Sequence, residues 1–189
     1  MPFLCLMFPE KETVRLSKFL SLVLRHQPEA IGLVLDENGW ADVFDLLQKL
    51  KAKGFAVGNE ALQHVVATNN KKRFAFNADG SKIRASQGHS ITVDLGYEVS
   101  TPPAVLYHGT AEKNVGAILQ NGLIRQNRQH VHLSKDVETA ITVGKRHGKP
   151  VVFNVMAGAM HKDGFAFYVS ANGVWLTDAV PCNYLQLHQ

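Results

Sequence analysis

The chain is expected to fold as an α+β protein in two lobes, on three observations. Before residue 67 three segments carry apolar residues at three- and four-residue spacing, the mark of amphipathic helices. An Asp-Gly turn then joins two short strand candidates rich in Lys and Arg. After Thr101-Pro102-Pro103, a stiff connector, short strand candidates dominate.

The first helix is expected over Thr13–His26, with Leu16, Phe19, Leu20, Val23 and Leu24 on one face and Pro28 preventing a longer run. A second starts at Asp42, an N-cap residue type, carries Val43, Leu46, Leu47 and Leu50, and stops at Gly54. A third begins at Asn59 and includes Leu62, Val65 and Val66. The segments Lys72–Phe76 and Lys82–Ala85, joined by Asn77-Ala78-Asp79-Gly80, form a hairpin. Helices followed by such a hairpin are the pattern of a winged-helix module. Residues 71–84 hold five Lys/Arg and one acid, so this hairpin is either a nucleic-acid contact or a solvated charged face.

In the second lobe, strands are expected at Val105–His108, His130–Leu133, Val151–Val155, Phe165–Val169 and Val174–Leu176, the last two joined by Asn172-Gly173. Helices are expected at Val115–Gln120 and over about Asp136–Arg146. Residues 1–12 then form an N-terminal extension, 13–93 the first lobe and 94–189 the second.

Composition narrows the classes. The 189 residues are 46% hydrophobic and 19% charged, enough apolar material for a core and unlike a disordered tail or a disulfide-stapled miniprotein. The net charge of +4 is compatible with a nucleic-acid partner without deciding for one. Cys5 and Cys182 stand apart and outside any zinc-ligand spacing, which fits a reducing, cytoplasmic setting and no structural metal. The apolar start, Met1–Phe8, is too short to span a membrane and lacks the basic flank and cleavage site of a secretion signal. No obligate protein partner is indicated.

Nine histidines are available for chemistry. Arg25-His26 at a helix end can hold a phosphate and move a proton, or merely complement the helix dipole. Arg73, preceded by Lys71 and Lys72, is an anion clamp or a solubilising cluster. His130 and His132 share a strand face, but no carboxylate or cysteine at ligand spacing completes a metal site. Residues 83–90, IRASQGHS, are dense in donors and suit a phosphate, a sugar or a polar interlobe loop. In Tyr107-His108-Gly109-Thr110 a glycine stands where a ligand could approach the backbone. No GxGxxG or P-loop pattern occurs.

Together the motifs LRH (24–26), KKRF (71–74), IRASQGHS (83–90), YHGT (107–110), RQHVHLS (128–134) and NGVWLT (172–177) resemble the NAD-dependent RNA (tRNA) 2′-phosphotransferase family, collinearly from about Leu16. The resemblance implies an N-terminal winged-helix RNA lobe and an ADP-ribosyltransferase-like NAD lobe. It puts the catalytic set on Arg25, His26, Arg73 and Arg128, and NAD contacts on His108, Gly109, Thr110, His132 and Ser134. Lys71, Lys72, Lys82 and Arg84 are the expected RNA contacts. It further implies that an internal RNA 2′-phosphate attacks NAD, releasing nicotinamide, and that a ribose hydroxyl of the resulting adduct attacks the phosphate. The products are then 2′-OH RNA and ADP-ribose 1″,2″-cyclic phosphate, without a metal. Two other readings use the same residues: an ADP-ribosyltransferase that stops after the first step, and a winged-helix regulator whose second lobe senses a ligand. Against the latter, Arg25 and His26 end a first helix rather than a groove-reading one.

Overall fold

Helix α1 occupies Glu10–Val23 in the computed structural model, which describes residues 9–188. It begins earlier than Thr13, so Glu10–Glu12 belong to the helix rather than to an extension; Glu10 and Glu12 face the positive end of its dipole. Residues 1–8, including Cys5, lie outside the described residues. Helical hydrogen bonding continues past Val23, with the His26 N–H donating to the Leu22 carbonyl at 2.9 Å. Arg25 and His26 therefore ride on the last turn.

The described residues divide into two compact units between Leu95 and Gly96. In the first, strand β1 (Ala41–Asp42) leads directly into α2 (Val43–Ala52), and Asp42 caps the helix by accepting the Asp45 N–H at 2.8 Å. Helix α3 (Asn59–Ala67) follows, then β2 (Phe74–Phe76) and β3 (Lys82–Ala85). The hairpin pairs Phe74 with Ala85 and Phe76 with Ile83, and β1 joins the other side of β3. Gly80 supplies the left-handed residue of its turn at φ 74°. Leu16, Leu20, Leu46, Leu50, Leu62 and Ile83, all fully buried, build the core between the helices and this sheet.

The second unit contains β4 (Leu106–Ala111), α4 (Val115–Asn121), β5 (Leu123–Ile124), β6 (Val131–Leu133) and α5 (Val137–Gly144). It continues with β7 (Pro150–Val155), α6 (Ala157–Lys162), β8 (Tyr168–Val169), β9 (Trp175–Thr177), β10 (Ala179–Val180) and β11 (Leu185–Leu187). The strands form antiparallel sheets in the orders β11-β7-β4 and β6-β9-β8, with β10 paired to β5. Reciprocal backbone bonds between Tyr107 and Ser134, at 2.9 and 2.7 Å, bring β4 alongside the end of β6.

The expected strand Phe165–Val169 shortens to two residues. The Phe165 N–H closes α6 on Met160, and the Phe167 carbonyl accepts from Ser100 instead of a ladder partner. Helix α5 ends at Gly144 and passes into a 3-10 turn over Lys145–His147, short of the continuous helix expected to Arg146.

Gly109 has a packing role that the sequence does not reveal. A Cβ there would fall on the Ala140 carbonyl oxygen of α5, and one at Gly144 would come within 2.6 Å of the Thr110 carbonyl. Helix α5 thus lies directly on the backbone of β4. The Gly109→Ala variant is expected to lose about 3 kcal/mol of stability, since backbone rather than a flexible side chain would have to move. Urea unfolding measures this; an unchanged midpoint would show that α5 does not pack on β4 in this way.

Candidate active site

In the first unit the end of α1, the turn before β2 and the chain leaving β3 meet. The Arg25 guanidinium donates to the Arg73 carbonyl at 3.4 Å, and its charge lies 5.9 Å from the centre of the Phe74 ring. The same carbonyl accepts the Ser86 N–H at 2.8 Å, extending the β2–β3 ladder by one residue pair. Ser86, buried, also donates its hydroxyl to the Lys72 carbonyl at 2.8 Å. Arg25 and Arg73 are therefore brought together by contacts made before any ligand arrives, and His26 follows Arg25 on the same helical turn.

Asn69 was not singled out by its sequence, yet it aims Arg73. Its Oδ1 accepts from the Lys71 N–H, the Arg73 N–H and the Arg73 guanidinium at 3.2, 3.4 and 3.2 Å. Its amide nitrogen donates to Ser17 Oγ of α1 at 3.1 Å. The turn so formed holds Lys72 at φ 42°, a left-handed conformation that a residue with a Cβ adopts only under local constraint. An Asn-Asn pair after a helix reads in sequence as ordinary turn chemistry, so only the three-dimensional arrangement exposes the role of Asn69.

The four basic residues expected to contact RNA stand on the turn before β2 and on β3. Lys71 and Lys72 are exposed on this turn. Lys82 is ion-paired with Asp36 at 3.0 Å, and Arg84 stacks 4.4 Å above the Trp40 ring while donating to the Asn38 carbonyl. Lys82 and Arg84 thus already have intramolecular partners.

His89 is buried within electrostatic reach of Arg25, His26 and Arg84, with neither ring nitrogen in a hydrogen bond of ordinary geometry. Burial, reinforced by the charges of Arg25, His26 and Arg84, holds its pKa down at about 4, with the Leu24 backbone pulling weakly the other way. It is a neutral filler at pH 7.

In the second unit Arg128, His132 and His108 form a chain. The Arg128 guanidinium donates to His132 Nδ1 at 2.9 Å, and His108 Nδ1 donates to the His132 carbonyl at 3.1 Å. Arginine can only donate and a carbonyl can only accept, so neutral His132 carries its proton on Nε2 and His108 on Nδ1. Burial, more than the Arg128 charge, lowers the His108 pKa and keeps the ring neutral, although the His132 carbonyl opposes the shift. Thr110 is buried and accepts from the Asn114 amide at 3.1 Å; Ser134 is half-buried and held by Tyr107. His130 diverges from His132 in its surroundings: it packs edge-on against Tyr168 and stands 3.9 Å from Asp178. Arg128 lies in a different unit from Arg25, His26 and Arg73.

Arg25, His26 and Arg73 in the first unit and the Arg128–His132–His108 chain in the second are side-chain types that can bind phosphate and carry protons. Residues 11–179 match the family described as RNA 2′-phosphotransferase, Tpt1/KptA family. The chain is 57% identical over 171 residues to the probable RNA 2′-phosphotransferase of Flavobacterium johnsoniae, covering 90% of this chain and 94% of that one. It is 58% identical to the protein so described from Agrobacterium fabrum, covering 89% and 91%, and 55% identical to that from Streptomyces coelicolor, covering 94% and 96%. The chain belongs to the RNA 2′-phosphotransferase family and is an enzyme, a transferase. Among the described residues no helix is long and apolar enough to cross a membrane.

The neutral state of His89 carries a pH prediction. The unfolded histidine binds a proton below about pH 6.5 and the folded one only below about 4, so the unfolded state holds more protons in between. Stability should therefore fall by about 3 kcal/mol as pH drops from 6.5 to 4. Urea unfolding of His89→Leu across that range should show a correspondingly shallower loss; an identical slope would mean that His89 is accessible to protons in the native protein.

Proposed function

We propose that the enzyme removes an internal 2′-phosphate from RNA by transferring it to NAD. The observation that carries this reading is the joining of Arg25 to Arg73, with Asn69 and Ser86 holding the Arg73 turn and His26 next to Arg25, within the span that matches the family. A winged-helix reading of the first unit is supported by three helices and a hairpin whose β3 also pairs with a short β1. For the second unit, an NAD-binding, ADP-ribosyltransferase-like role is supported by the His108–His132–Arg128 chain. His108, held neutral by burial with its proton on Nδ1, presents Nε2 as an acceptor, which suits a hydroxyl or the amide of a nicotinamide nucleoside.

In the first step an RNA 2′-phosphate oxygen bonds to the anomeric carbon of the nicotinamide ribose. The carbon–nitrogen bond breaks and nicotinamide leaves neutral. In the second, the adjacent ribose hydroxyl attacks phosphorus and loses its proton, while the bond to the RNA 2′-oxygen breaks and that oxygen gains one. The phosphate oxygens bear more negative charge in the second step, so guanidinium donors aimed at them matter more there.

Incubation with NAD and an oligonucleotide bearing one internal 2′-phosphate tests the proposal. The expected result is loss of the phosphate with stoichiometric nicotinamide release. A persistent ADP-ribosylated RNA would favour the one-step alternative, and no reaction would overturn both. Arg73→Ala is expected to slow the second step a hundredfold or more, roughly the effect of losing one oxyanion donor, so that the adduct accumulates. Parallel slowing of both steps without an adduct would make Arg73 a binding residue only.

The cation geometry sets a separate expectation for RNA binding. Replacing Lys71 and Lys72 with Ala should lower the salt dependence of binding by roughly one to two units of slope. Lys82→Ala should change it much less, because Asp36 already neutralises that charge. Equal effects, measured by titration at several salt concentrations, would show that the Lys82–Asp36 pair opens when RNA binds.

A further inference from the structure

Ser90 closes the donor-rich segment 83–90 and is exposed, yet it is fixed at two points. Its backbone N–H donates to the Arg25 carbonyl at 3.0 Å, and its Oγ stands 2.9 Å from His26 Nδ1. The chain reaches this position through Gly88 at φ 86° and the buried ring of His89, so Ser90 is anchored from its own side of the contact. One residue thus meets both members of the Arg25-His26 pair, one through its backbone and the other through its hydroxyl.

A hydroxyl can donate or accept, but the two choices have different consequences for His26. If Ser90 accepts, Nδ1 carries a proton in the neutral ring and in the imidazolium alike, and the contact persists while Nε2 is protonated and deprotonated. If Ser90 donates, protonation of the ring breaks the contact at the moment of proton transfer. Only the first arrangement holds the ring through a reaction cycle.

We propose that Ser90 is a positioning residue for His26: its hydroxyl accepts from Nδ1–H, fixing the ring's plane and tautomer and making Nε2 the atom that exchanges the proton. In the second step Nε2 would take the proton of the attacking ribose hydroxyl as the oxygen–phosphorus bond forms. It would return that proton to the RNA 2′-oxygen as the bond from phosphorus to that oxygen breaks. The inference rests on the phosphotransfer reading of His26.

The test uses the intact protein and its Ser90→Ala and Ser90→Thr variants. Ser90→Ala removes the hydroxyl but retains the backbone bond to Arg25, so melting temperature should stay close to that of the parent. Long-range proton–nitrogen NMR, with the His26 signals assigned by their loss in His26→Ala, reads the tautomer directly. The parent should hold the proton on Nδ1, and Ser90→Ala should shift it toward Nε2. With NAD and 2′-phosphorylated RNA, Ser90→Ala should lower kcat about tenfold, the worth of one good hydrogen bond, and leave KM for RNA within about twofold. Ser90→Thr should restore both tautomer and rate. An active parent with His26 protonated on Nε2, or a Ser90→Ala variant with unchanged tautomer and kcat, would overturn the role of Ser90 alone. So would equal losses in Ala and Thr variants that also melt early, which mark a structural residue. A parent inert toward NAD and the phosphorylated RNA would overturn the functional reading whatever the ring signals show.

Discussion

The Arg73 carbonyl oxygen is the point on which the first unit's site depends. It accepts the last rung of the β2–β3 ladder from Ser86 and a charged hydrogen bond from Arg25, joining the sheet to the end of α1. At 3.4 Å the Arg25 bond is long, but with the Phe74 ring on its other contact it limits a side chain that would otherwise sample many rotamers. Asn69 completes the constraint from the opposite side by tying the Arg73 guanidinium to α1 through Ser17. The entropy of ordering these side chains is spent in folding, which leaves less to lose when an anion binds.

Gathering cations has an electrostatic cost, and the surroundings limit it. His89 stays neutral because burial, and then the charges of Arg25, His26 and Arg84, disfavour its imidazolium. Arg84 spreads its charge over the Trp40 ring, and Lys82 is offset by Asp36. In the second unit His108 is likewise neutral by burial, beside a fixed guanidinium at Arg128. Both units therefore combine permanent arginine charges with histidines whose proton positions are set by neighbours rather than by bulk solvent.

Much of this was legible in the sequence where periodicity and turn chemistry act locally. The apolar spacing of α1, α2 and α3, the Asp42 cap and the Asp79-Gly80 turn all have causes within a few residues of where they act. Helix α6 carries no periodic signal because Ala157-Gly158-Ala159-Met160 has too few large apolar residues, and β11 carries none because Leu185–Leu187 is strand only through β7. Within the candidate site, motifs identified Arg25, His26 and Arg73, but not the means of holding them. Asn69 and Ser90 act across 52 and 64 residues of chain, and no local pattern encodes such partners. Gly109 was legible as a close approach but not as to what approaches: the neighbour is the backbone of α5.

The central claim is that the first unit carries a site prearranged for a phosphate on RNA. Its most direct test is calorimetric titration of the intact protein, without NAD, using two short RNAs that differ only in one internal 2′-phosphate. The phosphorylated RNA should bind at least about tenfold more tightly, the worth of one charge-assisted contact, and Arg25→Ala should abolish that difference while still binding RNA. Equal affinity for the two RNAs would contradict the account.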